Sequence, residues 1–290
     1  MIRTPGRWAR SPRTVLLSLL MASAVHVATA QAQPLAESPW SQRSFAERAL
    51  PVAATLPVAM RGAAGGGGIG LRGADAWKLG GMAMLAGVVA TADRRGDAWA
   101  RRKSVQGNDA LRILSDVGDA SGSWGAIGVG PAAWLVGRVR GDSGTAVLGL
   151  RTTEAVLISG VTIGVIKALS GRTRPYASAD HSPTHWDLFG GRRSDSTRSF
   201  ASGHSAMSAA AAVTLAAEWR RQGRAGWQVV GPPLVYALAG VVAGSRVRDR
   251  QHWLSDVVTG SAVGMLSAIV VRRWHDAHPR SRLDRTFLAR

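Results

Sequence analysis

TAVLGLRTTEAVLISGVTIGVIKAL, residues Thr145–Leu169, is built almost wholly from Ala, Val, Leu, Ile, Gly and Thr. It is too long for a strand and does not alternate apolar with polar, so it reads as a helix. Working outward, similar segments run over about 77–92, 120–138, 201–219, 227–244 and 255–272, with a further amphipathic piece near 106–117. Pro232 and Pro233 fall early in the segment 227–244, the fifth of the six in chain order, where a missing N–H costs least. Helices of this length without a strand pattern predict an all-α fold, a six-helix bundle.

The rest of the chain sets the context. MIRTPGRWARSPR, residues 1–13, is Arg-rich and lacks acids; TVLLSLLMASAV is apolar; ATAQAQ offers small residues at A-x-A spacing. That order predicts a secretory signal peptide over residues 1–30, with an uncleaved anchor as the alternative. Residues 31–76 hold Pro34, Pro39, Pro51, Pro57 and a Gly run, and read as a flexible linker. The Gly run has no Gly-Lys-Ser/Thr ending and is not a phosphate-binding P-loop. The helical domain covers 77–275, and 276–290 forms a basic tail. The net charge is +18, carried mainly by Arg, and suits an anionic partner. Export makes nucleic acid an unfavourable partner and leaves phosphorylated lipids and small phosphate esters. With no Cys, disulfides, thiolate metal sites and a Cys nucleophile are excluded.

Segments 120–137 and 226–245 are long enough to cross a bilayer without a charge. The first and last segments are shorter, and the third carries Arg151 and Glu154. If export fixes residue 31 outside and all six helices cross, the polar ends described next would face the cytoplasm. The expectation is therefore an exported, periplasmic bundle, soluble or resting on a membrane surface, with an integral membrane protein as the alternative.

Three polar stretches interrupt the apolar pattern at one end of the predicted bundle. KALSGRTRP places Lys167 in the last turn of the third helix, Gly171 at its end and Arg174 beyond. ASGHS puts Ser202, Gly203 and His204 at the start of the fourth. There Ser can cap, Gly admits a ligand to the backbone, and first-turn N–H groups favour phosphate. SRVRDRQHWLSD, Ser245–Asp256, sets His252 and Asp256 four residues apart on one helix face. A carboxylate that accepts one imidazole N–H leaves the other ring nitrogen free to attack. Arg246 adds a planar fork for phosphoryl oxygens. Each stretch alone has a plain reading: a cation near a helix dipole, a capping His, a solvated basic loop.

Together their order and spacing resemble the type 2 phosphatidic acid phosphatase family, which shares its site with vanadium-dependent haloperoxidases. The family pattern K-x(6)-R-P, P-S-G-H and S-R-x(5)-H-x(3)-D is met by KALSGRTRP, ASGH and SRVRDRQHWLSD, with Ala201 in place of Pro. The resemblance covers roughly 77–272. It implies that His252 is a nucleophile forming a phosphohistidine, that Asp256 orients it, and that His204 is the general acid and then base. It further implies a phosphate cradle of Lys167, Arg174, Ser202, Gly203 and Arg246, with neither cofactor nor metal. The implied substrate is a phosphorylated lipid or small phosphate ester. Vanadium-dependent haloperoxidase and a non-catalytic bundle that binds anionic lipid are the alternatives. Between the first two motifs, His181, His185 and Asp187 match no common metal-ligand spacing. That segment reads as a loop over the pocket mouth, with Trp186, Leu188 and Phe189 available to an acyl chain.

Overall fold

The computed structural model describes residues 76–223, 225–279 and 281–288. The expected signal peptide and linker lie outside the described residues, save for Ala76. Among the described residues there are ten α-helices and no strand. They are α1 Ala76–Ala90, α2 Asp93–Ala100, α3 Lys103–Gln106, α4 Asp109–Ala120, α5 Ala126–Arg140, α6 Ser143–Ser170, α7 Gly203–Arg221, α8 Trp227–Arg248, α9 Leu254–Ala277 and α10 Arg282–Leu288. The expected all-α class holds. All six apolar segments fall largely in helices, although the helices among the described residues are more numerous than six.

Local chemistry sets the ends. Asp142 caps α6 by accepting from Thr145 N at 3.1 Å, and Asn108 caps α4 through Leu111 N at 3.0 Å. Gly171 ends α6 in the left-handed region with φ 57°, as the sequence suggests. A Cβ there would also overlap the carbonyl oxygen of Asp187, so the loop after α6 folds back tightly onto the helix end.

Helix α7 is the axis of the bundle and packs against α6, α8 and α9. Its Ala206 and Ala209–Ala212 are buried, so neighbours approach with little side chain between. Gly260 and Gly264 of α9 complete that contact, since a Cβ at either would overlap the carbonyl oxygen of Ser202 or Ala206. The close approach holds the start of α7 beside the start of α9, where the polar motifs lie.

The segment expected as one helix over 120–138 is instead split. A π-helical turn, Ser121–Gly125, joins α4 to α5. A Cβ on Gly122 would lie 2.5 Å from Val242 Cγ1 and 3.0 Å from the His204 ring, so this widened turn touches the polar end of the bundle.

Helices α6, α8 and α9 are long and apolar enough to cross a membrane. The last expected segment, about 255–272, runs on to Ala277, which removes the shortness counted against it. Arg151 and Glu154 do not face outward unpaired either. Arg151 Nη1 meets Glu218 Oε1 at 2.6 Å, and Glu154 Oε2 meets His275 Nε2 at 2.6 Å. Leu157, Val161, Val165 and Leu169 of α6 and Val229, Val230, Leu234 and Leu238 of α8 are exposed. Patches of this kind mark a membrane or partner surface, and the chain is membrane-associated in character.

Candidate active site

The end of α6, the start of α7, the end of α8 and the start of α9 meet at one end of the bundle. This antiparallel arrangement gathers all three sequence motifs. Lys167, in the last turn of α6, is buried and donates from Nζ to Arg198 O at 2.6 Å. Arg174, also buried, donates to Asp195 O at 2.9 Å, Asp195 Oδ1 at 3.1 Å and Gln251 Oε1 at 2.7 Å. Arg246 is held by Asp119, with Nη2 2.8 Å from Oδ1.

Ser202 is the N-cap of α7: its Oγ accepts from Ser205 N at 3.4 Å and Ser205 Oγ at 2.9 Å. Its own N–H donates to Asp256 O at 3.0 Å, tying the two helix starts together. Gly203 opens α7, and an added Cβ there would reach Lys167 Cε at 3.9 Å. The first-turn N–H groups of α7 therefore lie beside the Lys167 chain. A helix start of this kind suits an anion.

His252 is fully buried in the turn between α8 and α9, its N–H donating to Arg246 O at 3.1 Å. Burial above all, and then the charges of Lys167, Arg174, His204 and Arg246, push its imidazole well below the usual histidine range. It is thus neutral near pH 7, and those groups are close enough to act on it. His252 Nδ1 lies 3.8 Å from Asp256 Oδ2, beyond hydrogen-bond range. That oxygen accepts instead from Ser199 Oγ at 2.5 Å and Trp253 N at 2.9 Å. Catalytic hydrogen bonds are often long until substrate is bound.

His204 points its Nε2 at Asp119 Oδ1, 3.3 Å away. The hydrogen bond from His204, opposed by burial and helped by Arg246, holds the Asp119 carboxyl below its usual range. The pair lies at the more open side of the site: Asp119 is 56% exposed and His204 12%.

All eight residues singled out in the sequence come to this one end. Others were not foreseen. Asp119 and Gly122 belong to the π-turn region, far upstream of the motifs. Arg172 lies inside the first motif but between its two marked positions. It is buried, donating to Asp256 Oδ1 at 2.5 Å and Asp93 Oδ2 at 2.7 Å. Charge within an apolar chain is the only sequence signal of Asp119 and Arg172, and Gly122 offers none.

The loop residues His181, His185 and Asp187 take separate partners: Asp97 at 3.5 Å, Asp180 at 3.3 Å and Arg193 at 2.7 Å. Among the described residues no group of three His, Asp or Glu is placed to hold a metal ion. Trp186 packs edge-on against Phe200, 5.3 Å between centroids. Leu188 and Phe189 remain exposed.

Residues 149–280 match the model of the family described as PAP2 superfamily. Comparisons with curated proteins and with solved structures gave no match. The matched span runs from α6 through α9 and contains the three motifs, while Asp93 and Asp119 precede it.

Proposed function

The chain belongs to the PAP2 superfamily, and on that premise we propose that it is a metal-independent phosphatase acting on a phosphate monoester or diphosphate. The observation that carries the proposal is the buried His252 in the turn between α8 and α9, at the helix ends that also bring in the buried Lys167, Arg174 and Arg246. A neutral imidazole is a nucleophile, and the cations around it match the charge on phosphoryl oxygens.

The reaction runs in two steps. His252 attacks phosphorus through Nε2, forming a P–N bond as the ester P–O bond breaks. The leaving oxygen takes a proton from His204. The imidazolium ring of phosphohistidine is balanced by Asp256. In the second step His204 takes a proton from water, the resulting hydroxide attacks phosphorus, and the P–N bond breaks to release inorganic phosphate and His252. Lys167, Arg174, Arg246 and the first-turn N–H groups of α7 hold the equatorial oxygens throughout. Asp119 steadies the charged form of His204.

The substrate proposed is lipid-linked. The site sits at the end of long apolar helices, and Leu188 and Phe189 stand exposed on the loop beside it. Pairing of Arg151 and Glu154 inside the bundle removes the charge objection to crossing, so α6, α8 and α9 are read as membrane-spanning. Arg138, Arg140, Arg220 and Arg221 lie in the last turns of α5 and α7 at the other end, while Arg172, Arg174, Arg192, Arg193 and Arg198 lie between α6 and α7 at the site end. Cations therefore stand at both ends, and a site outside the cytoplasm is proposed from the secretory-type start of the sequence rather than from charge.

The test is phosphate release by the purified chain in detergent, from p-nitrophenyl phosphate and a short-chain phosphatidate, with EDTA present. Activity is expected to persist in EDTA and to be inhibited by orthovanadate, a phosphate mimic. Loss in EDTA with recovery on adding a divalent ion would overturn the metal-independent mechanism.

A further inference from the structure

Behind His252 lies a second layer of charge that the two-step reaction does not use. Arg172 is buried between two aspartates. It donates from Nη1 to Asp256 Oδ1 at 2.5 Å and from Nη2 to Asp93 Oδ2 at 2.7 Å. Its flat group lies over Trp186 at 4.8 Å and near Trp253 at 5.5 Å from the ring centroids, and its Nε donates to Pro183 O at 3.0 Å. Asp93, the first residue of α2, accepts from Ser255 N at 2.9 Å and Ser255 Oγ at 2.7 Å, in the first turn of α9. Ser255 Oγ also lies 2.8 Å from Arg172 Nη1. Asp93, Arg172 and Asp256 are all buried.

We propose that Arg172 and Asp93 are positioning residues for the catalytic pair Asp256 and His252. This rests on the phosphohistidine reading above. Asp256 has two oxygens with separate duties. Arg172 pins Oδ1, which leaves Oδ2 as the oxygen nearest His252 Nδ1. The charge count explains why Asp93 is needed. One guanidinium facing one carboxylate would cancel the charge that must balance the phosphohistidine ring. With Asp93 drawing on the same guanidinium, the buried triad carries a net charge of about −1 in low-dielectric surroundings, where that charge acts strongly. Asp93 precedes the span matched by the family, so this device couples α2, outside that span, to the nucleophile. A fully hydrogen-bonded buried ion group fixes geometry more than it adds stability.

The experiment uses the full chain in detergent with p-nitrophenyl phosphate, comparing wild type with Asp93→Asn, Arg172→Lys, Arg172→Gln and His252→Ala. Asp93→Asn and Arg172→Gln are expected to lower kcat by about tenfold to a hundredfold, as when a supporting partner behind an active-site group is lost. KM should stay within about twofold, since neither residue touches phosphate, and rapid-quench phosphoenzyme formation should slow in step with kcat. Arg172→Lys, which keeps the charge, should recover part of the loss. Activity is expressed per folded molecule from near-UV circular dichroism and melting. Wild-type kcat in folded Asp93→Asn, or a loss seen only in KM, overturns the inference. Should a variant fail to fold, Ser255→Ala decides by the same kcat reading, because it deletes the hydroxyl that both residues contact. The His252→Ala control separates the two claims. If it stays active, the phosphohistidine reading fails; if it is inactive while Asp93→Asn is unimpaired, only the positioning roles fail.

Discussion

A histidine that attacks phosphorus must be neutral, whereas one that protonates a leaving oxygen must be charged. The two residues have different surroundings, although burial, first of all, lowers the His204 imidazole as well, against the hydrogen bond to Asp119 that favours its charged form. His252 is buried behind cations and has no hydrogen-bonding carboxylate, while His204 faces Asp119 at the more open side. Replacing His204 by Ala should therefore lower turnover of an alkyl phosphate by about 10²- to 10⁴-fold, the usual worth of a general acid. The loss should be much smaller for p-nitrophenyl phosphate, whose leaving oxygen needs no proton. Equal losses on both substrates would remove His204 from that role. Burial of neutral His252 also couples folding to pH. Its folded value lies below its unfolded one, so the unfolded chain binds more protons between them and stability rises with pH there. The contribution is intact above about pH 6.5 and is lost as pH falls below it. Melting of the detergent-solubilised chain should drop from pH 7.5 to pH 5.5, and less so in His252→Asn. Identical drops in both proteins would count against this cause.

At the scale of elements, the long helices were legible because composition and length agree, and Gly171 marked the end of α6 as expected. The π-turn at Ser121–Gly125 was not legible. Nothing in SGSWG distinguishes a helix carrying an extra backbone residue per turn from a plain one, and the turn's reason is its contact with His204 and Val242. The full extent of α9, to Ala277, was not legible, because the apolar run ends before Arg272 and Arg273 and only packing shows that His275 is buried against Glu154. Charges within the third segment argued against a membrane only while their partners were unknown. Removing one partner should be costly. Glu218→Ala leaves Arg151 charged and buried, and a broken buried pair typically costs about 3–5 kcal/mol. A lower melting temperature in detergent is expected, and a melting temperature equal to wild type would mean that Arg151 finds another partner or water.

For the whole molecule, the three motifs foretold the site because each lies at a helix end, and alternating helix directions bring such ends together. Asp93, Asp119 and Arg172 stayed hidden because tertiary packing alone brings them to the site, from spacings that match no helix or strand period. Exposed apolar faces on α6 and α8 predict that the protein stays in membranes through a carbonate wash and leaves only with detergent. The absence of cysteine permits a direct test of orientation. Arg192→Cys near the site should react with an impermeant maleimide from outside intact cells, and Arg220→Cys at the other end should not. The reverse pattern would place the site in the cytoplasm.

The central claim, a covalent phosphohistidine at residue 252, is tested most directly by rapid quench into alkali of the enzyme mixed with ³²P-labelled substrate, followed by peptide mapping. Alkali-stable, acid-labile label on the peptide carrying His252, absent from His252→Ala, is the predicted result. Steady phosphate release with no trapped label, or the same release from folded His252→Ala, would contradict it.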